Sequence, residues 1–463
     1  MVRKNARDAS SGAAALIVGA LLVAPAAAQP VDPLPPLPGG DDTTLAQDSA
    51  PSVAAARRAR DALIATGDFN AALTPAKAAV EAPEDNVKAH ADDLATLGRV
   101  QAELRDIDAA EADYLKAIEL VAKAEGEFSL DLVDFYRGLG RTYISAARYP
   151  EAVTTLEQAQ NINQRNLGLF NVEQSPLLDD LTTAYLGLGD TAEAQQRQLD
   201  RLDNAIRRFG ADDARVIPYR YVLANYYERS RLPESARSQY EEVLKSQENV
   251  RAGNDAALLP PLRQLVKIDL LISQTRNPER RDRLATVLEQ NQDADPVERG
   301  LSLATLGDWA TVAEDPTTAN DYYRRAWAAL ERNPQFDVDK YFAKPMMIDF
   351  IAPLNAVDRG ASARAYRWAA VALSFDVSAE GLPSHVEILG LPEGADPAPI
   401  QTQYSRRLRE THFRPRLVEG NPVATTDVRS THYYRYYVEK ESRRKRRKRD
   451  EEPSDEKEEA EEG

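Results

Sequence analysis

The chain has 463 residues, a formal net charge of −16 and 43% hydrophobic residues, enough for two or three domains. The acidic balance argues against nucleic acid as the main partner. No cysteine is present, which removes disulfides and thiol chemistry. The four histidines, His90, His385, His412 and His432, show no metalloprotease-type spacing.

Residues 1–28 read as an export signal. Arg3, Lys4 and Arg7 form a basic start, Ala13 to Ala24 an apolar run, and Ala26-Ala27-Ala28 a small-residue cleavage site before Gln29. The run is about half of the ~20 residues that a spanning helix needs. The expected location is therefore the periplasm of a bacterial envelope; the alternative is a segment kept as an anchor. Residues 29–51 are Pro-rich and then polar, a semi-stiff extended linker. Such runs are also ligands for aromatic grooves.

Residues 52–332 carry a repeat. Ala110, Ala152, Ala194 and Ala236 follow one another at 42 residues. Thirteen residues before each stand Leu97, Leu139, Leu181 and Leu223, and twelve before stand Gly98, Gly140, Thr182 and Ala224. Four after stand Tyr114, Leu156, Gln198 and Tyr240. A fixed period of this size means stacked helical hairpins, since one hairpin cannot bury its apolar face alone. The small residues let paired helices approach closely. An irregular copy centres on Ala72. A worn stretch at 256–292 reads as two helices, and the pattern returns with Gly307, Ala319 and Ala326. Six or seven hairpins are expected.

The spacing resembles the tetratricopeptide repeat, whose small positions fall on Gly98, Ala110 and Ala117 and recur as Gly140, Ala152 and Ala159. The longer period resembles the long-helix variant of kinesin light chains. The resemblance implies a groove lined by the first helices. Carried over position by position, it selects Arg99, Arg137, Arg141, Asp179, Thr183, Tyr221 and Asn225. Three arginines on one wall would suit an acidic segment or chain terminus, because guanidinium forks pair with carboxylates.

Residues 333–349 read as a connector. After them the period becomes two: Val371, Leu373, Phe375 and Val377 face one way, with Val386 and Ile388 on a second strand. Asp396-Pro397 opens a helix with Ile400, Tyr404 and Leu408 on one stripe. A turn then leads into an alternating strand at about 427–438. The overall expectation is a mostly α chain: a helical solenoid followed by a small α+β domain at 350–438.

Phe375, Val377, Gly381, Phe413, Pro415, Glu419-Gly420 and Pro422-Val423 resemble the carboxy-terminal domain of the TonB energy-transducer family. Pro353-Leu354-Asn355-Ala356 matches its leading P-x-x-A. The resemblance implies that the last strand receives an extended partner segment, an edge comprising Val428, Arg429, Thr431, Tyr433 and Arg435. Val428, His432, Tyr434 and Tyr436 would share one face, and one of the two faces would meet the helix stripe. The Tyr-rich end of the strand reads as ordinary strand residues with one wet end.

The tail at 439–463 is basic from Lys440 to Arg449 and acidic from Asp450 to Gly463, a composition of solvated, disordered blocks. Peripheral contact of its basic run with anionic lipid is a further expectation. Catalysis is not expected: no P-loop, G-x-S-x-G or dinucleotide loop occurs, and His90 near Asp92 and Asp93 reads as solvated charge on a polar helix face. No cofactor and no metal are expected. The expected function is an exported periplasmic scaffold or adaptor for a protein or peptide, such as an envelope protein or outer-membrane transporter. The alternative is an atypical TonB-like transducer or an accessory of outer-membrane transport.

Overall fold

A computed structural model describes residues 52–251, 253–272, 277–349, 366–390 and 397–437. The signal, the linker, the Pro353–Ala356 match, Asp396 and the charged tail lie outside the described residues. So do the side chains of Ile400 and of Tyr433 to Tyr437. The chain divides into two compact units, 1–226 and 227–463, and each is described by itself.

In the first unit, helices α1 (Val53–Ala65) and α2 (Phe69–Glu81) form one hairpin, and α3 (Val87–Glu103) and α4 (Ile107–Glu125) the next. Two more follow, α5 (Leu132–Ser145) with α6 (Tyr149–Leu167), and α7 (Ser175–Leu188) with α8 (Thr191–Phe209). Ser52, Asp68, Asn86, Asp106 and Asp190 cap helix starts with their side chains. Each cap satisfies a backbone N–H that has no partner within its helix.

The marker alanines Ala110, Ala152 and Ala194 are fully buried, as are Leu156 and Leu181. The small positions are small because a helix lies against them. A Cβ on Gly98 would stand 3.0 Å from the Tyr114 ring and 3.1 Å from the Ala110 carbonyl. In the third repeat Thr182 turns its hydroxyl to the Leu178 carbonyl at 2.7 Å and accepts from Gln198 at 2.9 Å. A buried polar pair thus replaces the close apolar approach.

One sequence expectation is corrected here. Asp93 is not solvated charge on a polar face: it is 1% exposed and accepts from Arg57 Nε at 2.9 Å and Arg60 Nη1 at 2.7 Å. The physical reason is that α1 covers this face of α3 and brings the two guanidinium groups with it. A buried carboxylate is tolerated only when paired and hydrogen-bonded in this way.

The division between the units falls within α9 (Ile217–Arg229). The second unit continues with α10 (Pro233–Val250), α11 (Leu259–Leu271), α12 (Pro278–Gln290), α13 (Pro296–Val312) and α14 (Pro316–Leu330). The worn stretch at 256–292 thus supplies α11 and α12. Its Asp269 is buried between Arg237 and Arg280, at 3.2 and 2.8 Å. At Gly307 the pattern is tight again: a Cβ there would stand 2.5 Å from the Tyr323 ring.

The stretch from 333 to 349 holds a short helix α15 (Val338–Tyr341) and strand β1 (Met346–Met347). Val338, Phe342 and Ile348 join one hydrophobic core with Trp327, Leu330 and Leu417. Phe342 stacks on Trp327 with ring centroids 5.8 Å apart.

Beyond lie β2 (Tyr366–Val377), β3 (Pro383–Gly390), α16 (Pro397–Arg409), β4 (Phe413–Arg414), β5 (Arg416–Val418), β6 (Asn421–Val423) and β7 (Thr425–Tyr437). The sheet order is β3-β2-β7, all antiparallel, with Phe375 opposite Val428 and Ala372 opposite Thr431. The short β4 pairs with β1, and β5 with β6. Val371, Leu373, Phe375 and Val377 are all buried and meet Tyr404 and Leu408 of α16, as the period-two pattern and the helix stripe require. The expected turn falls at Glu419-Gly420, and the residues on either side of it add three short strands, β4, β5 and β6, that the sequence pattern did not mark.

Candidate functional site: an arginine-lined cavity

Helices α3 and α5 stand side by side with Tyr114 of α4 behind them. Between them lies a cavity of about 470 Å3, lined among others by Arg99, Arg105, Tyr114, Arg137 and Arg141. Tyr114 is its floor. Its ring passes under Gly98 and Gly138, and a Cβ on Gly138 would come within 2.7 Å of the hydroxyl oxygen. Burial pushes the Tyr114 hydroxyl up to about 12, so it is a proton donor at neutral pH. Among the described residues it has no hydrogen-bond partner.

The walls carry Arg99, Arg105, Arg137 and Arg141 against Glu103 and Asp134. Arg137 is already committed: its Nε donates to Asp180 at 2.6 Å. Burial raises the pKa of Asp180, opposed by Arg137. Arg105 donates to the Ser145 carbonyl at 2.8 Å. Arg141 reaches Asp180 only at 4.0 Å and keeps 63% of its side chain exposed. Arg99 is exposed and makes no ion pair among the described residues. Two cations, Arg99 and Arg141, are thus left available over a hydroxyl donor.

The structure brings together three of the seven groove residues drawn from the repeat spacing, Arg99, Arg137 and Arg141. Asp179 and Thr183 stand on α7 outside this cavity. Asp179 accepts from Gln198 at 3.1 Å and pairs with Arg201 at 3.3 Å. Thr183 bonds back to the Asp179 carbonyl at 3.1 Å. Tyr221, half-buried, and Asn225, exposed, are on α9. Sequence reasoning missed Asp180, which no period marks. It also missed the role of Tyr114, although the recurrence four residues after each marker alanine was the signal.

At the strand edge, β7 pairs with β2 alone among the described residues. Val428 turns inward and packs on the core, and the His432 ring lies 5.8 Å from Tyr404. Arg429 and Thr431 are exposed, and Arg429 pairs with Asp427 at 2.9 Å. Tyr433 and Arg435 are placed by register only, opposite Ala370 and Trp368. Among the described residues no group of three or more His, Asp or Glu is arranged to hold a metal, and no helix is long and apolar enough to cross a membrane.

A second site has the same construction. On α13, Asp308 follows Gly307 as Arg99 follows Gly98, and Tyr323 follows Gly307 by the same sixteen residues that separate Tyr114 from Gly98. Here the residue after the glycine is fully paired. Arg414 of β4 donates from Nε to Asp308 at 2.8 Å and from its second amino group to the same carboxylate. Tyr323 is fully buried and its hydroxyl reaches Asp308 at 3.1 Å and Thr311 at 2.8 Å. Tyr341 accepts from Arg414 at 2.7 Å. Burial opposes the Arg414 charge, but Asp308 outweighs it and holds the pKa well above the ordinary value.

The tetratricopeptide repeat family matches residues 93–165. No curated protein sequence matches the chain. Among solved structures, the C-terminal part of a TPR repeat-containing protein from Cytophaga hutchinsonii is 13% identical, over 60% of this chain and 96% of that one, with a TM-score of 0.41. A signal transduction ATPase with a tetratricopeptide repeat sensor from Pyrococcus horikoshii is 15% identical, over 60% and 42%, with a TM-score of 0.42. BtubC from P. vanneervenii is 16% identical, over 67% and 97%, with a TM-score of 0.35. The match at 93–165 falls on the two hairpins in which Gly98 and Gly140 meet Tyr114 and Leu156, and the helical array is of the tetratricopeptide-like solenoid kind.

Proposed function

We propose that the chain is an exported, non-catalytic scaffold of the bacterial periplasm that holds an acidic segment or chain terminus of a protein partner in the cavity over Tyr114. The observation that carries this reading is the cavity's charge. In a chain of net charge −16, four arginines face two carboxylates, and Arg99 and Arg141 have no close ion pair. Guanidinium forks bind carboxylates in two-point fashion, and Tyr114 adds a neutral donor below them. Export rests on the order of residues 1–28.

The test places a photo-crosslinking residue at Ala102 and irradiates cells that express the whole chain. A discrete protein adduct is expected, lost when Arg99→Glu and Arg141→Glu are combined. The same adduct in the charge-reversed chain would remove the cavity from consideration. Mass spectrometry of the mature chain is expected to start at or near Gln29, and an intact amino terminus in the inner-membrane fraction would end the export reading.

A second reading concerns the 350–438 domain as a TonB-like docking module. It is favoured by β7 standing at the sheet edge among the described residues, since the backbone groups of an edge strand are a template for an added strand. It would make the chain an atypical transducer or an accessory of outer-membrane transport. Neighbouring residues of a strand send their N–H groups to opposite sides. Of Ser430→Pro and Thr431→Pro, one therefore breaks the ladder to β2 and the other removes only an outward donor. If the outward variant folds and still binds its partner segment unchanged, β7 is not the docking edge.

A further inference from the structure

The second helices α4, α6 and α8 end on Gly126, Gly168 and Gly210, 42 residues apart, with φ between 93° and 100° and ψ between 147° and 158°. The loops that follow therefore leave the array alike. Two residues beyond the first two glycines stand Phe128 and Phe170. The guanidinium of Arg165 lies 4.1 Å over Phe128, and that of Arg207 lies 4.1 Å over Phe170. Asn166 ties the loops together, donating to the Phe128 carbonyl at 2.9 Å. Phe128, Leu130, Leu167, Leu169 and Phe170 are 42 to 57% exposed, five large apolar side chains on consecutive loops. A concentrated apolar patch rimmed by charge marks a binding surface.

The chain itself supplies an occupant. Helices alternate in direction, so the loops after α4 and α6 lie on the edge of the array where each first helix begins. Ser52, at the start of α1, is on that same edge. Thirteen residues, 39–51, separate it from Pro38. Extended, they reach roughly 44 Å. First helices are spaced by about 10 Å per packed layer, which puts both loops within range. Residues 30–38 read Pro-Val-Asp-Pro-Leu-Pro-Pro-Leu-Pro. Such a run favours the polyproline II helix, whose three residues per turn would set Leu34 and Leu37 on one ridge. Aromatic surfaces bind that helix well because little entropy remains to be lost. Asp32 supplies a carboxylate, and Arg165 has no carboxylate partner among the described residues.

We propose that residues 30–38 of this chain lie along the Phe128–Phe170 rim as a polyproline II strand, with Leu34 and Leu37 against the rings and Asp32 toward Arg165. This goes beyond the scaffold reading and does not depend on it. The absence of cysteine from the sequence makes the test direct. Leu37→Cys combined with Leu169→Cys introduces the only two thiols of the whole chain. A short bismaleimide is expected to join them within one molecule at least tenfold faster than in the pair Leu37→Cys and Leu188→Cys. Leu188 is 45% exposed and ends a first helix, on the opposite edge. Adding Phe128→Asp and Phe170→Asp should remove that advantage. Because both rings are exposed, helical circular dichroism should stay unchanged. Equal rates for the two pairs would overturn the proposal. So would no joining at either pair, which leaves the rim to a lipid or foreign partner, or joining only between molecules, which assigns it to a second copy.

Discussion

Gly98 and Gly307 each rest on a tyrosine sixteen residues later, and the residue after each glycine lies beside that tyrosine, one lining the same cavity and the other 3.1 Å from the hydroxyl. In the first unit that residue is Arg99, and the place over Tyr114 is an open cavity with a second cation, Arg141, that is only loosely paired, 4.0 Å from Asp180. In the second unit it is Asp308, which is shared by the Tyr323 hydroxyl and Arg414 of the chain's own β4. The repeat thus fixes a seat and one position next to the small residue fixes the sign of what sits there. At Asp308 the seat serves folding: it joins the last hairpin to the strands beyond it, alongside Phe342 and Leu417 in the same core. At Arg99 the place beside the tyrosine is open, which is the feature that the proposed binding reading uses.

The contrast breaks most visibly at the carboxylate. Asp308→Ala would strand Arg414, whose side chain is 5% exposed, and removing one partner of a buried pair costs about 3–5 kcal/mol. All three tryptophans, Trp309, Trp327 and Trp368, belong to the second unit, so their fluorescence reports its unfolding alone. The denaturant midpoint should fall sharply in that signal. Asp308→Leu combined with Arg414→Met should lose less, because two apolar groups leave no buried charge. Arg99→Ala, on an exposed side chain, should stay within about 0.5 kcal/mol. If Asp308→Ala is as mild as Arg99→Ala, the two seats do not differ in the way described.

The array was legible in the sequence because its causes are local and periodic. Gly98, Ala110, Tyr114 and their successors recur since each hairpin buries the same face against the same neighbour. The sheet was legible through Val371, Leu373, Phe375 and Val377, whose alternation survives burial. The cavity was only half legible. Arg99, Arg137 and Arg141 follow from the repeat positions. That Arg137 would be taken by Asp180 depends on the next helix and leaves no periodic mark. The Asp308–Arg414 pair was invisible for the same reason. It joins residues 106 apart, and a lone Arg in a short strand carries no sign of its partner. Asp93 misled because a charged residue beside His90 and Asp92 looks solvated until α1 is seen to cover it.

Packing gives a second, smaller contrast. Gly307→Ala would drive a Cβ to 2.5 Å from the Tyr323 ring, which is fully buried and held by Asp308 and Thr311. Gly98→Ala would stand 3.0 Å from the Tyr114 ring, a looser conflict against a ring that lines the cavity. Overpacking of a well-filled core costs about 1–3 kcal/mol. Gly307→Ala should fall in that range and Gly98→Ala below it, read from tryptophan fluorescence for the first and from helical circular dichroism for the second. Equal losses would mean that the Tyr114 cavity gives no relief.

Removing only the hydroxyls sharpens the same comparison. Tyr323→Phe deprives buried Asp308 and Thr311 of a partner, worth about 1–2 kcal/mol. Tyr114→Phe removes a hydroxyl with no partner among the described residues and should be close to neutral for stability, yet weaken capture at the cavity. A destabilised Tyr114→Phe chain would show that this hydroxyl serves the fold, and the cavity would lose its donor.

The least effect is a pH dependence confined to the second unit. Burial lowers the pKa of His432, and Arg231 adds to it in the same direction. In the unfolded chain an imidazole takes up a proton near pH 6.5. The folded state takes it up only at lower pH, so between the two values the unfolded chain binds more protons and folding is disfavoured. The contribution of neutral His432 is therefore whole above about pH 6.5 and is lost as the pH falls through the folded value. Its ring sits 5.8 Å from Tyr404 on the inner face of β7, with Nε2 2.8 Å from the Ser430 hydroxyl, and a charge there has little water to meet it. Comparing the tryptophan transition at pH 7.5 and 5.5, the wild-type chain should lose more stability than His432→Gln, since the amide cannot titrate. Carboxylates shared by both chains cancel in that difference. Parallel losses in the two chains would show that His432 carries no proton linkage and that the inner face of β7 is open to water.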